Sequence, residues 1–340
     1  VEAFADLVGT SRILLTPSCT AALEMSALLL DLNHGDEVIV PSFTFVSTAN
    51  AFVLMGAKVV FADIDPVTLN LDPASTKDRV TERTKAIVPV HYGGTPCDMA
   101  SLILLAEQAG ATVVEDAAHG LFASHKGTPL GRFGALATFS FHETKNLSTG
   151  EGGALVVNDE SLWERAQVLR EKGTDRTIFM LGLVDKYTWV DTGSSYLMAD
   201  PLAAVLLAQI EFSAETQRRR LDTVIAYRAH LADWAAEQAV ILPPEVAAGD
   251  TEAGHMFPLL FDSKLTRDRF IDHCRGLGVQ SVFHYLPLHD SPMGRRLGAS
   301  PAECPVTSDV SARLARLPVF SDITVDERDR VLDVVVKFES

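Results

Sequence analysis

"TVVEDAAHG", residues Thr112 to Gly120, is the stretch that decides the fold. A short β-branched run ends in two acids, Glu115 and Asp116, and passes at once into a turn of small residues. A carboxylate is thereby set at the carboxyl end of a strand, where open α/β sheets hold their ligands. Taken alone, the stretch serves equally well as an aspartate capping the next helix. Its neighbours tip the balance.

Five further runs read as strands: "DEVIVP" (36–41), "AKVVFADI" (57–64), "KAIVPVHY" (85–92), "ATFSFH" (137–142) and "GALVVND" (153–159). Between them, "TAALEMSALLLDL" (20–32) and "DMASLILLAEQAG" (98–110) space their apolar residues as helices do, the second ending on a C-capping glycine. Strand and helix in alternation predict βαβ units around a mainly parallel sheet. From Asp200 to Val240 the pattern becomes one long helical stretch. A boundary near residue 218 divides a large α/β domain (1–217) from a long connecting helix and a smaller C-terminal α/β unit (218–340). That unit contains "HMFPLLF", "RFIDHCRGLGV", "FHYLPLH" and "ERDRVLDVVVKFE".

Composition narrows the function. With 340 residues, 47% of them hydrophobic, the chain can bury a sizeable core. A net charge of -16 argues against a nucleic-acid partner, which needs a basic face. No apolar run is long enough for a bilayer and no leader pattern is visible, so the expectation is a cytoplasmic protein with no membrane association. Four scattered cysteines without a CxxC suit reduced core thiols.

Strand "ATFSFH" leads to Lys145, 29 residues after Asp116. Two neighbouring strand ends can therefore present an amine and an acid to one cleft. A lysine at such a loop is either a wet surface residue or an amine kept partly dry to form a Schiff base. The turn "STGEGGA" that follows lacks the GK[ST] ending of a Walker loop, and neither it nor "GTPLGRFG" matches a dinucleotide fingerprint. In "TPSCTAALE", Ser18, Thr20 and the following amides sit at a helix N-terminus, an anion site or a plain cap. "PSFTFVSTAN" adds Phe43 and Phe45, as a stacking plate or as core. An anion cradle, an aromatic plate, a strand-end aspartate and a lysine together are what pyridoxal 5'-phosphate (PLP) requires.

The same segments, with "VEDAAHG" and "SFHETKN", resemble in order and spacing the DegT/DnrJ/EryC1/StrS sugar aminotransferases, from about Leu14 to the last helix. The resemblance implies the type I fold of PLP-dependent aminotransferases and a homodimer with shared active sites. It implies that Lys145 binds the cofactor covalently, that Asp116 pairs with the pyridine nitrogen and that Phe45 stacks on the ring. Ser140 with the Thr20 and Ala21 amides would hold the phosphate, and His119 would lie beside the phenolic oxygen. His119 stands where glutamine is frequent, Ser195 where asparagine reaches the partner's phosphate, and Leu197 where arginine is common. Longer stretches, among them "VFHYLPLH" and "RLPVF", are most similar to the branch that aminates dTDP-4-keto-6-deoxyglucose with L-glutamate, through the pyridoxamine form, to dTDP-4-amino-4,6-dideoxygalactose. Amination at C-3 or of a UDP-linked sugar is the alternative. His284, Tyr285, His289 and Lys172 are expected to touch the nucleotide sugar. Arg170, Arg176, Lys186, Arg295 and Arg296 are the remaining cations in reach of a pyrophosphate. Two histidines, His284 and His289, make no zinc site without two more ligands.

Overall fold

The computed structural model describes residues 1–339. Seven strands form its main sheet: β1 (Ile13–Thr16), β2 (Glu37–Pro41), β3 (Lys58–Ala62), β4 (Thr84–Ile87), β5 (Thr112–Asp116), β6 (Leu136–Ser140) and β7 (Gly153–Val157). Their order across the sheet is β1-β7-β6-β5-β4-β2-β3. Strands β2 to β6 pair in parallel, whereas β7 runs against both β1 and β6. Only β7 is reversed, so the other six point their carboxyl ends the same way.

These strands read as near-continuous apolar runs because both faces are covered. Val38, Val40, Val88, Val114 and Leu155 join the core under helices Cys19–Leu29 and Val46–Leu54. The alternate residues Ile39, Ile87 and Val113 pack on the other face with helix Met99–Ala109, and Ala137, Phe139 and Val156 with Phe4. This alternation separates the two acids. Asp116 emerges on the face of Val114, while Glu115 turns to the opposite one, as the period of two requires.

A second core of Val224, Tyr227, Leu231, Trp234, Phe257, Phe261 and Phe270 belongs to the C-terminal part. It packs on a three-stranded antiparallel sheet, with β8 (Phe257–Leu260), β9 (Val282–Phe283) and β10 (Leu314–Leu317) in the order β8-β10-β9. The long helical stretch expected from Asp200 to Val240 is two helices, Asp200–Glu211 and Ser213–Glu237, parted at Phe212 (φ −100°, ψ 5°). The break lets one apolar stretch serve two cores. Leu206 packs with Phe4 and Phe139, and Tyr227 and Trp234 pack with Phe257 and Phe270. Residue 218 falls within the second helix. Leu288 and Cys304 return to the core of the main sheet, so the C-terminal part is stapled across the strand ends and closes a cleft over them.

Candidate active site

The cleft has a volume of about 670 Å³ and lies between the strand carboxyl ends and the small sheet. Asp116 closes β5 on its floor, 5% exposed. Its Oδ2 accepts from the Thr48 hydroxyl (2.7 Å) and its Oδ1 from the Ala118 N–H (3.1 Å). Helix Val46–Leu54 and the turn after β5 thereby orient one carboxylate into the cleft. Glu115 is fully buried and structural: it accepts from the amides of Gly131, Phe133 and Gly134 and from His91 Nε2 at 2.7–2.9 Å.

Lys145 sits half-buried in the turn between β6 and β7. Among the described residues its amine has no hydrogen bond or ion pair. Removal from water pushes its pKa down to about 8; Arg316 adds to the fall, and Cys19 and Asp116 oppose it. The amine is thus kept dry and easily deprotonated, the condition a nucleophilic lysine needs.

Across from it lies the start of helix Cys19–Leu29. Ser18 is its N-cap, and the Ser18 Oγ accepts from the Ala21 N–H at 3.1 Å. The Ala21 amide, expected at the phosphate, donates to the cap here. Cys19 and Thr20 supply the open first-turn amides. The Thr20 and Ser47 hydroxyls bond each other at 2.8 Å beside them, and Ser140 closes the cradle from the end of β6. Gly153 explains part of "GEGGA": a Cβ there would collide with the backbone of Ser18 and Cys19, so only glycine lets β7 run this close under the cradle. Phe45 lines the same cleft and is 58% exposed, an unpaired aromatic face above the Asp116 floor.

His119, 5% exposed, accepts at Nδ1 from the Gly93 N–H (3.4 Å) and meets the Tyr285 hydroxyl at Nε2 (3.4 Å). Because Nδ1 is an acceptor, the ring proton sits on Nε2 and points into the cleft. Burial, followed by Lys145 and its neighbouring histidines, holds His119 neutral, with a pKa well below the usual imidazole range. His284 accompanies Tyr285 on the wall. It contacts the Tyr92 hydroxyl at 3.0 Å, and burial, then Arg316 and Lys145, push its pKa down to about 2. Burial raises the Tyr285 phenol.

Not every expected residue reaches this cleft. His289 is fully buried elsewhere, with Nδ1 2.5 Å from the Ser42 hydroxyl and Nε2 3.2 Å from that of Ser308; it pins the C-terminal part to β2 and has no nitrogen left for a substrate. Lys172 and Ser195 are exposed and off the cleft lining, as are Arg176, Lys186, Arg295 and Arg296; Arg170 is half-buried and likewise off it. Arg295 is paired with Asp290 at 2.7 Å.

The structure adds residues that carried no role in the sequence. Arg316 projects from β10 into the cleft, and its buried Nε has no partner among the described residues. A lone arginine in the apolar strand "LARL" was its signal. Arg220 lies 3% exposed in the cleft wall, without a carboxylate partner among the described residues, its guanidinium 3.4 Å from the carbonyls of Gly254, His255 and Val319. Thr48 and His255 are the other additions.

Solved structures with this architecture extend over nearly the whole chain. The aminotransferase TlmJ from Streptoalloteichus hindustanus superimposes with a TM-score of 0.89 at 29% identity, covering 98% of this chain and 87% of that one. A Streptococcus pneumoniae protein solved in its PLP form gives a TM-score of 0.90 at 25% identity, over 98% and 88%. The chain is an enzyme of the aminotransferase class. Residues 1–336 match the model of the DegT/DnrJ/EryC1/StrS aminotransferase family, and the chain belongs to that family. The spore coat polysaccharide biosynthesis protein SpsC of Bacillus subtilis is 34% identical over 98% of this chain and 86% of its own length.

Proposed function

We propose that the enzyme is a PLP-dependent aminotransferase that moves an amino group from L-glutamate to the 4-keto carbon of a nucleotide-linked 4-keto-6-deoxyhexose. The specific reaction is dTDP-4-keto-6-deoxyglucose to dTDP-4-amino-4,6-dideoxygalactose, as the resemblance of "VFHYLPLH" and "RLPVF" implies. One observation carries the chemistry: an amine with no partner among the described residues and a pKa near 8, set in the turn after β6 and near the oriented Asp116 carboxylate.

The residues fit the cofactor. The Cys19 and Thr20 amides, with the Thr20, Ser47 and Ser140 hydroxyls, form a cradle for a dianion at a helix N-terminus. Asp116, held by Thr48 and Ala118, faces the place of a ring nitrogen, and Phe45 offers its face to the ring. His119 presents its Nε2–H to the phenolic oxygen. When bound, PLP supplies the aldehyde and the electron-withdrawing ring that let an amino group be removed from one carbon and delivered to another.

Everything else falls to the chain. Lys145 Nζ, uncharged above about pH 8, takes the α-proton of the amino donor in one half of the cycle, and in the other half gives a proton to the carbon that receives the amine. Arg316 offers the unpaired guanidinium that a donor carboxylate needs. His284 and Tyr285 line the mouth on the sugar's side.

We assign Lys172 and Ser195 to the cleft of a partner subunit in a homodimer. Helix Asp200–Glu211 supports this, because it buries Leu206 while Val205 (45%) and Leu207 (49%) face outward, followed in the chain by Phe212 (68%). Incubation with L-glutamate and a panel of keto-sugar nucleotides, with NMR of the products, tests the substrate. Turnover confined to the dTDP-linked 4-keto sugar is the expected result. Preference for a C-3 ketone or a UDP-linked sugar replaces the specific reaction, and no amination of any keto sugar refutes it.

A further inference from the structure

Lys145 lies in a turn, and a turn does not by itself fix an amine to within the fraction of an ångström that proton transfer needs. The residue after it supplies the anchor. Asn146 is 4% exposed; its Nδ2 donates to the Ala253 carbonyl (2.6 Å), and its Oδ1 accepts from His255 Nδ1 (2.7 Å). Since Nδ2 is spent on a carbonyl, the amide orientation is fixed, and with it the proton on His255 Nδ1. The His255 ring is set in turn by stacking on His119, with centroids 4.4 Å apart and planes at 23°. Burial, then Lys145, Arg220, Arg316 and His284, holds it neutral.

The backbone carrying His255 is itself strapped down. Asp250 accepts from the Lys126 N–H at 2.9 Å and Thr251 exchanges backbone bonds with Ser124. Gln217 Nε2 reaches the Ala253 carbonyl at 2.9 Å. Gly94 (φ +85°) lacks the Cβ that would collide with Ala253. Residues 250–255 thus form a rigid rail beside the lysine turn.

We propose that His255 is a positioning residue for Lys145: its Nδ1–H, presented from the rail, clamps Asn146 and so holds the lysine turn closed around the amine. The inference rests on the assignment of Lys145 as the cofactor-binding amine. The groups facing that amine are Asp116, Cys19, Arg316 and the imidazoles of His119, His255 and His284. None of these changes charge when His255 is replaced by a neutral residue, because His255 is already neutral. What changes is the water that reaches Nζ, and desolvation is the leading cause of its low pKa.

His255→Phe keeps the flat ring and removes the donor. His255→Asn removes the stack and keeps a donor at the place of Nδ1. For each protein, purified without cofactor and shown to be folded by its melting transition, the rate of PLP capture is followed by visible absorbance from pH 6.5 to 10. The wild-type rate should rise with a midpoint near 8. In His255→Phe the midpoint should move up by about one unit, with capture at pH 7 slowed about tenfold. His255→Asn should keep the wild-type midpoint. A folded His255→Phe protein whose profile superimposes on wild type overturns the proposal, as does His255→Asn shifted equally far. Wild type that captures no PLP at any pH overturns the cofactor assignment and this inference with it, whereas the two earlier outcomes leave that assignment standing.

Discussion

Replacing Lys145 by methionine should make the cofactor-free protein more stable at neutral pH, although it removes the residue on which the chemistry depends. The amine titrates near 8 in the folded chain and at an ordinary 10.5 when unfolded. A folded-state pKa below the unfolded one means that the unfolded chain binds more protons between these two values. Stability of the wild type therefore rises with pH across that window, and the cost of the dry ammonium is fully present below pH 8. The shift of 10.5 − 8 = 2.5 units corresponds to about 3.4 kcal/mol. Lys145 is only half-buried and partial hydration lowers the figure, so a gain of about 1–3 kcal/mol at pH 7 is expected. Methionine matches the length of the lysine stem and adds no charge. Urea unfolding of both cofactor-free proteins, monitored by fluorescence at pH 7, 8 and 9.5, measures the difference. It should be largest at pH 7 and shrink steadily toward 9.5. A variant no more stable than wild type at pH 7, or a gap independent of pH, would show that Lys145 is an ordinary solvated lysine.

Other outcomes follow from single contacts. Thr48→Val removes the hydroxyl that holds Asp116 at 2.7 Å and should weaken PLP binding by about 1.5–3 kcal/mol, roughly 10- to 100-fold in Kd by fluorescence titration. Arg316→Leu should raise the KM for glutamate about 30-fold or more while changing the KM of the sugar nucleotide little, which steady-state kinetics with each substrate varied would show. Gly153→Ala drives a methyl into the Ser18–Cys19 backbone and should destabilise the fold by about 1–3 kcal/mol in denaturant melts, with loss of PLP affinity. His289→Ala, by contrast, should lower stability through its lost bonds to Ser42 and Ser308 without changing the KM of the sugar nucleotide in the fraction that folds.

What could be read from the sequence followed the local physics. Apolar strands ending in Asp116 and Ser140 announce themselves by composition, and Lys145 and Thr20 follow at short spacing from strand and helix termini. Strand β1, only four residues long before Pro17, carries too little periodicity to be noticed, although it completes the sheet against β7. The single stretch from Asp200 to Val240 hides its break because Phe212 is compatible with a helix; only the demand of two separate cores bends the chain there. The far wall of the cleft was least legible. Arg316 and His255 come from elements 171 and 110 residues away from Lys145 in sequence, and tertiary closure alone brings them to it. Conversely, His284 and His289 stand five residues apart on one strand-turn segment and look equivalent, yet the first lines the cleft and the second is a buried pin. Backbone amides are similarly silent: the Ser18 side chain claims the Ala21 N–H and leaves those of Cys19 and Thr20 open.

The most direct test is chemical. The purified protein is loaded with PLP, reduced with borohydride, digested, and its peptides are mapped by mass spectrometry. A pyridoxyl group on the peptide containing Lys145, and on no other lysine, is the predicted result; a label on a different lysine, or none after full loading, would contradict the account.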